Sequence, residues 1–174
     1  WEGETSVFRI EEGAIVGGSM KGPIKHNDFL CTTEEFGDFE LTCEFKLLGK
    51  GANAGIQFRS QRVPNHFEVS GYQADMGGIF WGCLYDESRR NKVLAAPSNK
   101  KKLMESINEE DWNEYKIRCE GPRIQLWING MQTVDYTELD EKISGRGVIG
   151  LQIHGGPPSE AWYRQIRLQP IDEK

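Results

Sequence analysis

The stretch FELTCEFKL, residues 39–47, alternates apolar and polar side chains without a break. Its phenylalanines, its leucines and Cys43 all occupy odd positions, so an extended chain presents them on one face. Cys43 belongs with the apolar residues because free cysteine is commonly buried. The stretch therefore predicts a β-strand, which we extend to residues 37–48, with one face in a hydrophobic core.

The same alternation continues along most of the chain, interrupted by glycine, asparagine, aspartate and proline. These residues favour turns, so the pattern predicts many short strands with tight connections. An Asn129-Gly130 step between two apolar runs is a hairpin signal. Helical periodicity is weak and supports only short turns at 101–107 and 137–142. The predicted strands are 7–10, 14–18, 28–33, 37–48, 53–60, 68–76, 80–85, 113–120, 123–129, 131–136, 147–154 and 161–169.

The composition is that of an ordinary globular protein, with 174 residues of which 37% are hydrophobic and 28% charged. This length suits one core, so we expect a single domain over residues 1–174. The formal net charge of -6 excludes a global basic field that would attract nucleic acid or anionic membranes. No apolar run approaches the ~20 residues that a membrane span needs. Many short antiparallel strands close as a two-sheet sandwich or jelly roll, so the predicted fold is all-β.

The four cysteines have neither a CxxC pair nor a histidine at close spacing, which argues against a zinc site. Cys43 and Cys119 follow apolar residues with a period of two, and we expect both in the core. The spacing of Cys31, Cys83 and the other two does not define a disulfide.

Three predicted strands carry pairs of polar residues on one face, and no lysine occurs among them. A single pair is often an outward face without a role, but three such pairs favour a binding surface. Amide, carboxylate and imidazole groups form directional hydrogen bonds, which a polar ligand requires. The pairs are Gln57 with Arg59, Gln73 with Asp75, and Gln152 with His154.

Six segments follow one another in an order that resembles the 3-keto-disaccharide hydrolase family, from about Phe8 to Leu168. They are FRIEEGAIVGG, GDFELTCEFKL, ANAGIQFRS, GYQADMG…WGCLYDESRR, DWNEYKIRCEGPRIQLWING and GVIGLQIHGGPPSEAWYRQIRL. The resemblance implies a concanavalin-A-like jelly roll of two curved antiparallel sheets, with carbohydrate bound on the concave one. It also implies a secreted or periplasmic protein, whose signal segment we expect to have been removed before Trp1.

The resemblance also implies a chemistry. Ordinary glycosidases place two carboxyl groups at the glycosidic bond, and the E-x-D-x-x-E motif of laminarinase-like enzymes does not occur in this sequence. In a sugar already oxidised at C3, the ketone acidifies the C2 proton. A base removes this proton, an electrophile stabilises the enolate, the C1 aglycone leaves by β-elimination and water adds to the enone. We therefore expect hydrolysis of 3-keto-glycosides or 3-keto-disaccharides.

For this chemistry we predict Asp75 or His154 as the base. A carboxylate needs burial to raise its pKa, whereas imidazole starts near 6.5. Arg59 is the expected cation for the enolate oxygen. The expected substrate-binding residues are three amides that orient hydroxyls (Gln57, Gln73 and Gln152), two rings of which either can stack on a pyranose (Trp81 and Tyr85), and rim residues (Asp86 and Arg89).

Several alternatives remain open at the level of sequence. Glu87 and Arg90 can also rim the cleft, although a salt-bridged turn explains them at least as well, and His26 and His66 are loop candidates. No cofactor is predicted, but a divalent cation held by Asp75, Asp86, Glu87 and His154 is an alternative without a spacing motif. The protein can instead be a non-catalytic, lectin-like carbohydrate-binding module, or an interaction domain of a larger enzyme. The aglycone, the anomer and the oligomeric state are not defined.

Overall fold

A computed structural model describes residues 1–171, and residues 172–174 of the predicted 1–174 domain lie outside the described part. Two antiparallel sheets pack face to face, as predicted for an all-β sandwich. The elements are β1 (Phe8–Glu11), β2 (Ala14–Ser19), β3 (Asp28–Cys31), β4 (Phe39–Leu48), β5 (Asn53–Arg62), β6 (Val69–Gly77), β7 (Leu84–Glu87), β8 (Lys92–Ala95), α1 (Lys100–Ser106), β9 (Asn113–Glu120), β10 (Arg123–Ile128), β11 (Met131–Thr137), β12 (Val148–Ile153) and β13 (Ser159–Pro170).

The seven-stranded sheet has the order β1-β2-β13-β4-β9-β10-β11, and the six-stranded sheet has the order β3-β12-β5-β6-β7-β8. Alternation decides which side chains fill the space between them. On β4, Phe39, Leu41, Cys43 and Phe45 are buried, and Cys119 on β9 joins the same core. The predicted face of residues 39–47 is therefore confirmed, and each large side chain buried there contributes roughly 1.5–3 kcal/mol.

Three details of secondary structure differ from the prediction. The strand predicted at 80–85 begins only at Leu84, because Gly77 and Gly82, both at positive φ, carry the chain through turns first. Strand β8 was not predicted, since its four residues show no alternation. Residues 138–142 form no helix, because the carboxylate of Glu138 accepts hydrogen bonds from the next two backbone N–H groups.

The short turn predicted at 101–107 corresponds to α1. Its N-cap is Asn99, whose side chain accepts a hydrogen bond from the backbone N–H of Lys102, and Leu103 anchors it in the core. Such a cap satisfies one of the N–H groups that the first helical turn leaves unpaired. No helix within residues 1–171 has the length and apolar character required to span a membrane. The cysteines among these residues are all free and buried.

The register of the six-stranded sheet brings the three polar strands together. β5 lies between β12 and β6, so that Gln57 pairs with Gln73 and Gly55 pairs with Asp75. Strand β12 is aligned with β5 through Gly150, which is opposite Gln57. The polar side chains lie on the outer face, because their neighbours in sequence fill the core.

Candidate functional site

A small pocket opens on the outer face of the six-stranded sheet, where β5 begins and β6 ends. Its volume of about 150 Å³ is below the ~300–1,000 Å³ of sites for drug-sized ligands, so it suits one small polar ring. The lining residues are Asn27, Asn53, Gln73, Asp75, Phe80, Tyr85, Glu87 and His154.

Asp75 is the most deeply placed carboxyl group of this pocket and is only 3% exposed. Burial raises the pKa of Asp75 to about 8, and the nearby charge of Glu87 adds to this effect, although a hydrogen bond from Gln73 opposes it. The amide nitrogen Nε2 of Gln73 donates to Oδ1 of Asp75 at 2.7 Å. At neutral pH, Asp75 is therefore mainly a carboxylic acid whose proton resides on Oδ2, from which it can be donated to a ligand.

A chain of side-chain hydrogen bonds orients this carboxyl group. The hydroxyl of Ser60 donates to Oε1 of Gln57 at 2.8 Å, and Nε2 of Gln57 donates to Oε1 of Gln73 at 2.7 Å. Gln73 lies directly over Gly55, where a Cβ atom would be 2.6 Å from its Cγ and Cδ atoms. The glycine is thus required for the position of the Gln73 amide, which in turn fixes Asp75.

His154 follows β12 and forms the opposite wall of the pocket. Its Nδ1 is 2.6 Å from the carbonyl oxygen of Gly155, which can only accept a hydrogen bond. Nδ1 therefore donates to this carbonyl, and in the corresponding tautomer the lone pair lies on Nε2. The backbone N–H of His154 donates to the carbonyl of Asn53, and that of Gly155 donates to Oδ1 of Asn27. These bonds hold the ring in place with a basic nitrogen available.

Glu87 supplies a second carboxyl group to the pocket from strand β7. Its pKa is raised to about 7, mainly by burial and then by the negative charges of Glu68 and Asp86. Among the ion pairs found within residues 1–171, none involves Glu87. The pocket therefore contains two carboxyl groups that are partly or mainly protonated near neutral pH.

The loop between β5 and β6 lies across this face of the sheet. Oε1 of Glu68 is 3.5 Å from Nδ2 of Asn27, and Oε2 of Glu68 accepts a bond of 3.3 Å from the hydroxyl of Ser88. Phe67 in this loop stacks on the ring of His26 at a centroid distance of 4.0 Å, and its ring is tilted against that of His66 at 4.1 Å. Neither histidine lines the pocket, and His26 lies instead at a separate surface hollow of about 720 Å³.

Gln152 lies on the same face with its side chain fully buried. Neither Nε2 nor Oε1 of this amide has a hydrogen-bond partner among the described residues, and Oδ1 of Asn53 is in the same condition. Buried polar atoms in native proteins are normally paired. Gln152 is one residue past Leu151, which pairs with Ile56 of β5, so its amide lies near Gly55 and the Gln73–Asp75 pair. Of these two residues, Asn53 lines the pocket and Gln152 does not, so the prediction that Gln152 contacts the substrate is not supported by its position.

The prediction that Arg59 shares a face with Gln57 is wrong. A β-bulge interrupts β5 after Phe58, and Arg59 itself has a φ of 46°. Its guanidinium donates to the carbonyls of Gly37 and Gly121 and forms an ion pair of 2.7 Å with Asp38. Because a strand rises ~3.3 Å per residue, Arg59 lies about 20 Å along β5 from Asn53 at the pocket end.

The predictions for Asp86 and Arg89 are also corrected. Asp86 pairs with Tyr72 across β6 and β7 and therefore points to the core side, where it is fully buried. It forms ion pairs with Arg89 and Arg90, and the guanidinium of Arg89 lies 4.4 Å from the ring centre of Tyr72. These residues form a structural cluster on the far side of β7 from the pocket.

Trp81 does not line the pocket either. Its ring packs against Phe45 with a centroid distance of 6.1 Å, and it borders a different surface hollow. Tyr85 and Phe80 are the aromatic residues at the pocket, with ring centroids 6.1 Å apart in an edge-to-face arrangement. Tyr85 therefore remains the residue of the predicted pair that can contact a sugar ring.

Four carboxylate and imidazole ligands were considered for a divalent cation, namely Asp75, Asp86, Glu87 and His154. Asp86 points away from the other three, so the four cannot converge on one ion. Within residues 1–171, no cluster of three or more His, Cys, Asp or Glu side chains is arranged to hold a metal.

Three residues of the pocket were not identified from the sequence, namely Asn27, Asn53 and Phe80. Asn27 and Phe80 lie in connections outside the strands, and Asn53 is the first residue of β5. Their signal in the sequence is weak, because asparagine and aromatic residues are common beside turns. The pairing of β12 with β3 and β5 brings the two asparagines to the pocket, and the connection between β6 and β7 brings Phe80 there.

The comparisons with known proteins agree with this fold. The model of the 3-keto-α-glucoside-1,2-lyase-like domain matches residues 1–169. Among solved structures, a protein described as a "putative glycosyl hydrolase" from Parabacteroides distasonis has a TM-score of 0.71 at 16% identity, covering 95% of this chain and 84% of its own. The carbohydrate-binding module CBM66 from Bacillus subtilis has a TM-score of 0.72 at 14% identity, covering 97% and 92%. A β-glucanase from Bacillus licheniformis reaches 0.58 at 9% identity, covering 97% and 84%. No curated protein matches the chain.

Proposed function

Because the chain belongs to the family of 3-keto-α-glucoside-1,2-lyase-like domains, we propose that it cleaves glycosides whose sugar carries a ketone at C3. The observation that most supports this is the pocket beside β5 and β6, which combines a protonated carboxyl group with an imidazole base. Cleavage of a 3-keto sugar requires such a pair, since a proton leaves C2 while charge develops on the oxygen at C3.

His154 is the base of this proposal. Its Nδ1–H group is held by the carbonyl of Gly155, so the lone pair of Nε2 is free to accept the proton from C2. The electron pair of the C2–H bond then forms the C2–C3 double bond, and the negative charge moves to the oxygen at C3. General-base catalysis of this kind typically contributes roughly 10²–10⁴-fold in rate.

Asp75 is the electrophile that stabilises the enolate oxygen. A carboxylic acid kept neutral by its surroundings can donate a hydrogen bond to a developing oxyanion. The Gln73 amide holds Oδ1, which leaves Oδ2 and its proton for the substrate. Asp75 thereby takes the role expected of Arg59, whose guanidinium is occupied at the other end of β5.

The remaining groups bind and orient the sugar. Oδ1 of Asn53, a lining residue, has no partner among the described residues, and a hydroxyl group of the ring can satisfy it. Tyr85 and Phe80 provide apolar surface at the pocket, which suits the C–H face of a pyranose. Gln57 acts through Gln73 and does not touch the substrate in this proposal.

The reaction is completed by elimination and hydration. The enolate re-forms the ketone at C3, a C1–C2 double bond forms, and the bond from C1 to the aglycone oxygen breaks. Water then adds its hydroxyl group at C1, its remaining proton neutralises the aglycone alkoxide, and the imidazolium of His154 returns the proton to C2. The net result is hydrolysis of the glycosidic bond without a change in the oxidation state of the sugar.

The test is aglycone release from a 3-keto-glucoside, with the unoxidised glucoside as the paired substrate. We expect turnover of the keto form alone. His154→Ala should lose at least about 10²-fold in rate, whereas Asp28→Asn is a matched control that alters a buried carboxyl group outside the pocket. Incorporation of deuterium at C2 from D₂O would identify the deprotonation step independently.

If the protein is instead a carbohydrate-binding module, it should bind the unoxidised sugar and release aglycone from neither substrate. A folded protein that binds the unoxidised sugar and turns over neither form would contradict the proposal. Retention of full activity by His154→Ala would contradict the assignment of the base while leaving the reaction itself in place.

A further inference from the structure

Glu87 is a carboxyl group of the pocket that deprotonation at C2 and stabilisation at C3 do not use. The elimination also needs a proton for the departing aglycone oxygen, which leaves poorly as an alkoxide. We infer that Glu87 is the general acid that protonates this oxygen, and the general base that activates the water in the hydration step. This inference rests on the proposed cleavage of 3-keto-glycosides.

The side chain of Glu87 is directed to the pocket and away from the arginines of the core side. In β7, Asp86 and Glu87 are neighbours on opposite faces of the sheet, so that Asp86 meets two arginines while Glu87 reaches the pocket. No arginine or lysine of the described chain forms an ion pair with Glu87. A carboxyl group without a cationic partner in a half-buried position can exist in both protonation states near neutral pH, as an acid–base catalyst requires.

Glu87 and the proposed base reach the pocket from different strands. His154 follows β12, Asp75 lies on β6 and Glu87 on β7, with β5 between the first two. Strands are spaced by ~4.8 Å, so the backbones of β12 and β7 are about 14 Å apart. The imidazole and the Glu87 carboxyl group both line the pocket but reach it from strands on either side of Asp75, so they do not compete for one proton. A ring anchored at Asp75 has the base on one side and an acid on the other.

The groups around Glu87 support both of its roles. Glu68 from the β5–β6 loop and Asp86 raise its pKa by their charge, and Asp75 and Tyr85 are its titratable neighbours within the pocket. In the elimination, the Glu87 proton moves to the aglycone oxygen as the C1–O bond breaks. In the hydration, the resulting carboxylate takes a proton from water as the new C1–O bond forms. Both carboxyl and imidazole groups then return to their starting states.

The test compares wild type and Glu87→Gln on a series of 3-keto-glucosides with aglycones of different acidity. We expect kcat/KM for methyl and sugar aglycones to fall about 10²-fold or more, because these oxygens need a proton. For 2,4-dinitrophenolate, which leaves without protonation, we expect a change of less than about threefold. Glu44→Gln, on the other sheet, is the control carboxylate, and circular dichroism checks the fold of each variant.

A second readout is exchange of the C2 proton with D₂O. In Glu87→Gln it should continue and become easier to observe, since deprotonation precedes the slowed elimination. A uniform loss of rate across all aglycones, or no loss at all, would overturn the role of Glu87 while wild-type turnover upholds the proposed function. A wild-type protein that releases no aglycone from any 3-keto-glucoside overturns the proposed function and this inference together.

Discussion

Two acidic clusters lie on opposite faces of strands β6 and β7, and they differ in what surrounds them. On the core side, Asp86 is bound by Arg89 and Arg90, and Arg90 also pairs with Glu138. On the outer side, Asp75 and Glu87 line the pocket with amide and aromatic neighbours and without a cation. We call these the paired cluster and the pocket cluster.

The pKa values follow this difference. In the paired cluster, burial raises the pKa of Glu138, but hydrogen bonds from Arg90 and Tyr72 outweigh it and hold the value at about 2. In the pocket cluster, burial dominates and the pKa values are about 8 for Asp75 and about 7 for Glu87. Carboxyl groups with cationic partners stabilise a fold, whereas carboxyl groups that can hold a proton near neutral pH are suited to catalysis.

The largest effect is expected from Asp75→Ala, which removes the proposed donor to the enolate. We expect kcat on a 3-keto-glucoside to fall about 10²–10³-fold, the usual loss for one oxyanion donor. Asp75→Asn should lose less, because an amide N–H can still donate. Equal losses in the two variants, measured by steady-state kinetics, would identify Asp75 as the base and not the donor.

In the paired cluster, Asp86→Asn should act on stability. Removing one partner of a buried pair costs about 3–5 kcal/mol, and the partial exposure of both arginines puts the expected loss near 3 kcal/mol. Urea denaturation measures this difference, and kcat of the folded variant should stay within about twofold. A large fall in kcat without loss of stability would contradict this prediction and indicate that Asp86 takes part in catalysis.

A third prediction concerns the pH dependence of stability. The pKa of Asp75 is raised from its ordinary 3.8 to about 8, so between these values the folded protein holds a proton that the unfolded chain has lost. The free energy of unfolding should therefore fall as the pH rises from about 4 to 8, by at most ~1.4 kcal/mol per unit for this group. Asp75→Asn should flatten the profile in urea titrations at pH 5 to 8, and an equally steep slope in the variant would contradict the prediction.

The smallest effect is expected from Gly55→Ala. The added Cβ would lie 2.6 Å from two atoms of the Gln73 side chain, which must move and release Asp75. We expect a loss of about tenfold in kcat from this displacement, with a loss of stability of about 1–2 kcal/mol because the Gln73 amide gives up two buried hydrogen bonds. Gly22→Ala, with open space around the added Cβ and no positive φ, is the control for the effect of the extra methyl group on the backbone.

Much of the fold could be predicted from period-two alternation. It placed β4, β9, β10 and β11 within two residues, and the Asn129-Gly130 step located their second hairpin. The prediction of secondary structure failed where the chain departs from a regular strand, as in the turns before Leu84. Alternation predicts which side chains share a polar face only where the strand is regular. The bulge after Phe58 ends this regularity and turns Arg59 away from Gln57.

The candidate site was predicted less completely, for a related reason. Asp75, Gln73 and His154 were identified because each lies on a regular strand or at its end. Asp86 and Glu87 were exchanged in their roles, because the predicted strand ended at residue 85 and left the faces of both residues undefined, whereas β7 continues to Glu87. The pKa of Asp75 could not be derived from sequence, because it depends on burial and on neighbours from other strands.

The sequence by itself determined that this chain is all-β, which residues form the core and which strands carry polar faces, because these properties depend on neighbours one and two positions apart. Only the tertiary structure decided which polar groups share a pocket, which carboxyl groups have cationic partners and which nitrogen of His154 is basic. These depend on the order of strands in the six-stranded sheet and on its register, which bring residues 27, 53, 75, 87 and 154 together. Electrostatic environment acts over distances in space, and the linear order of residues does not encode those distances directly.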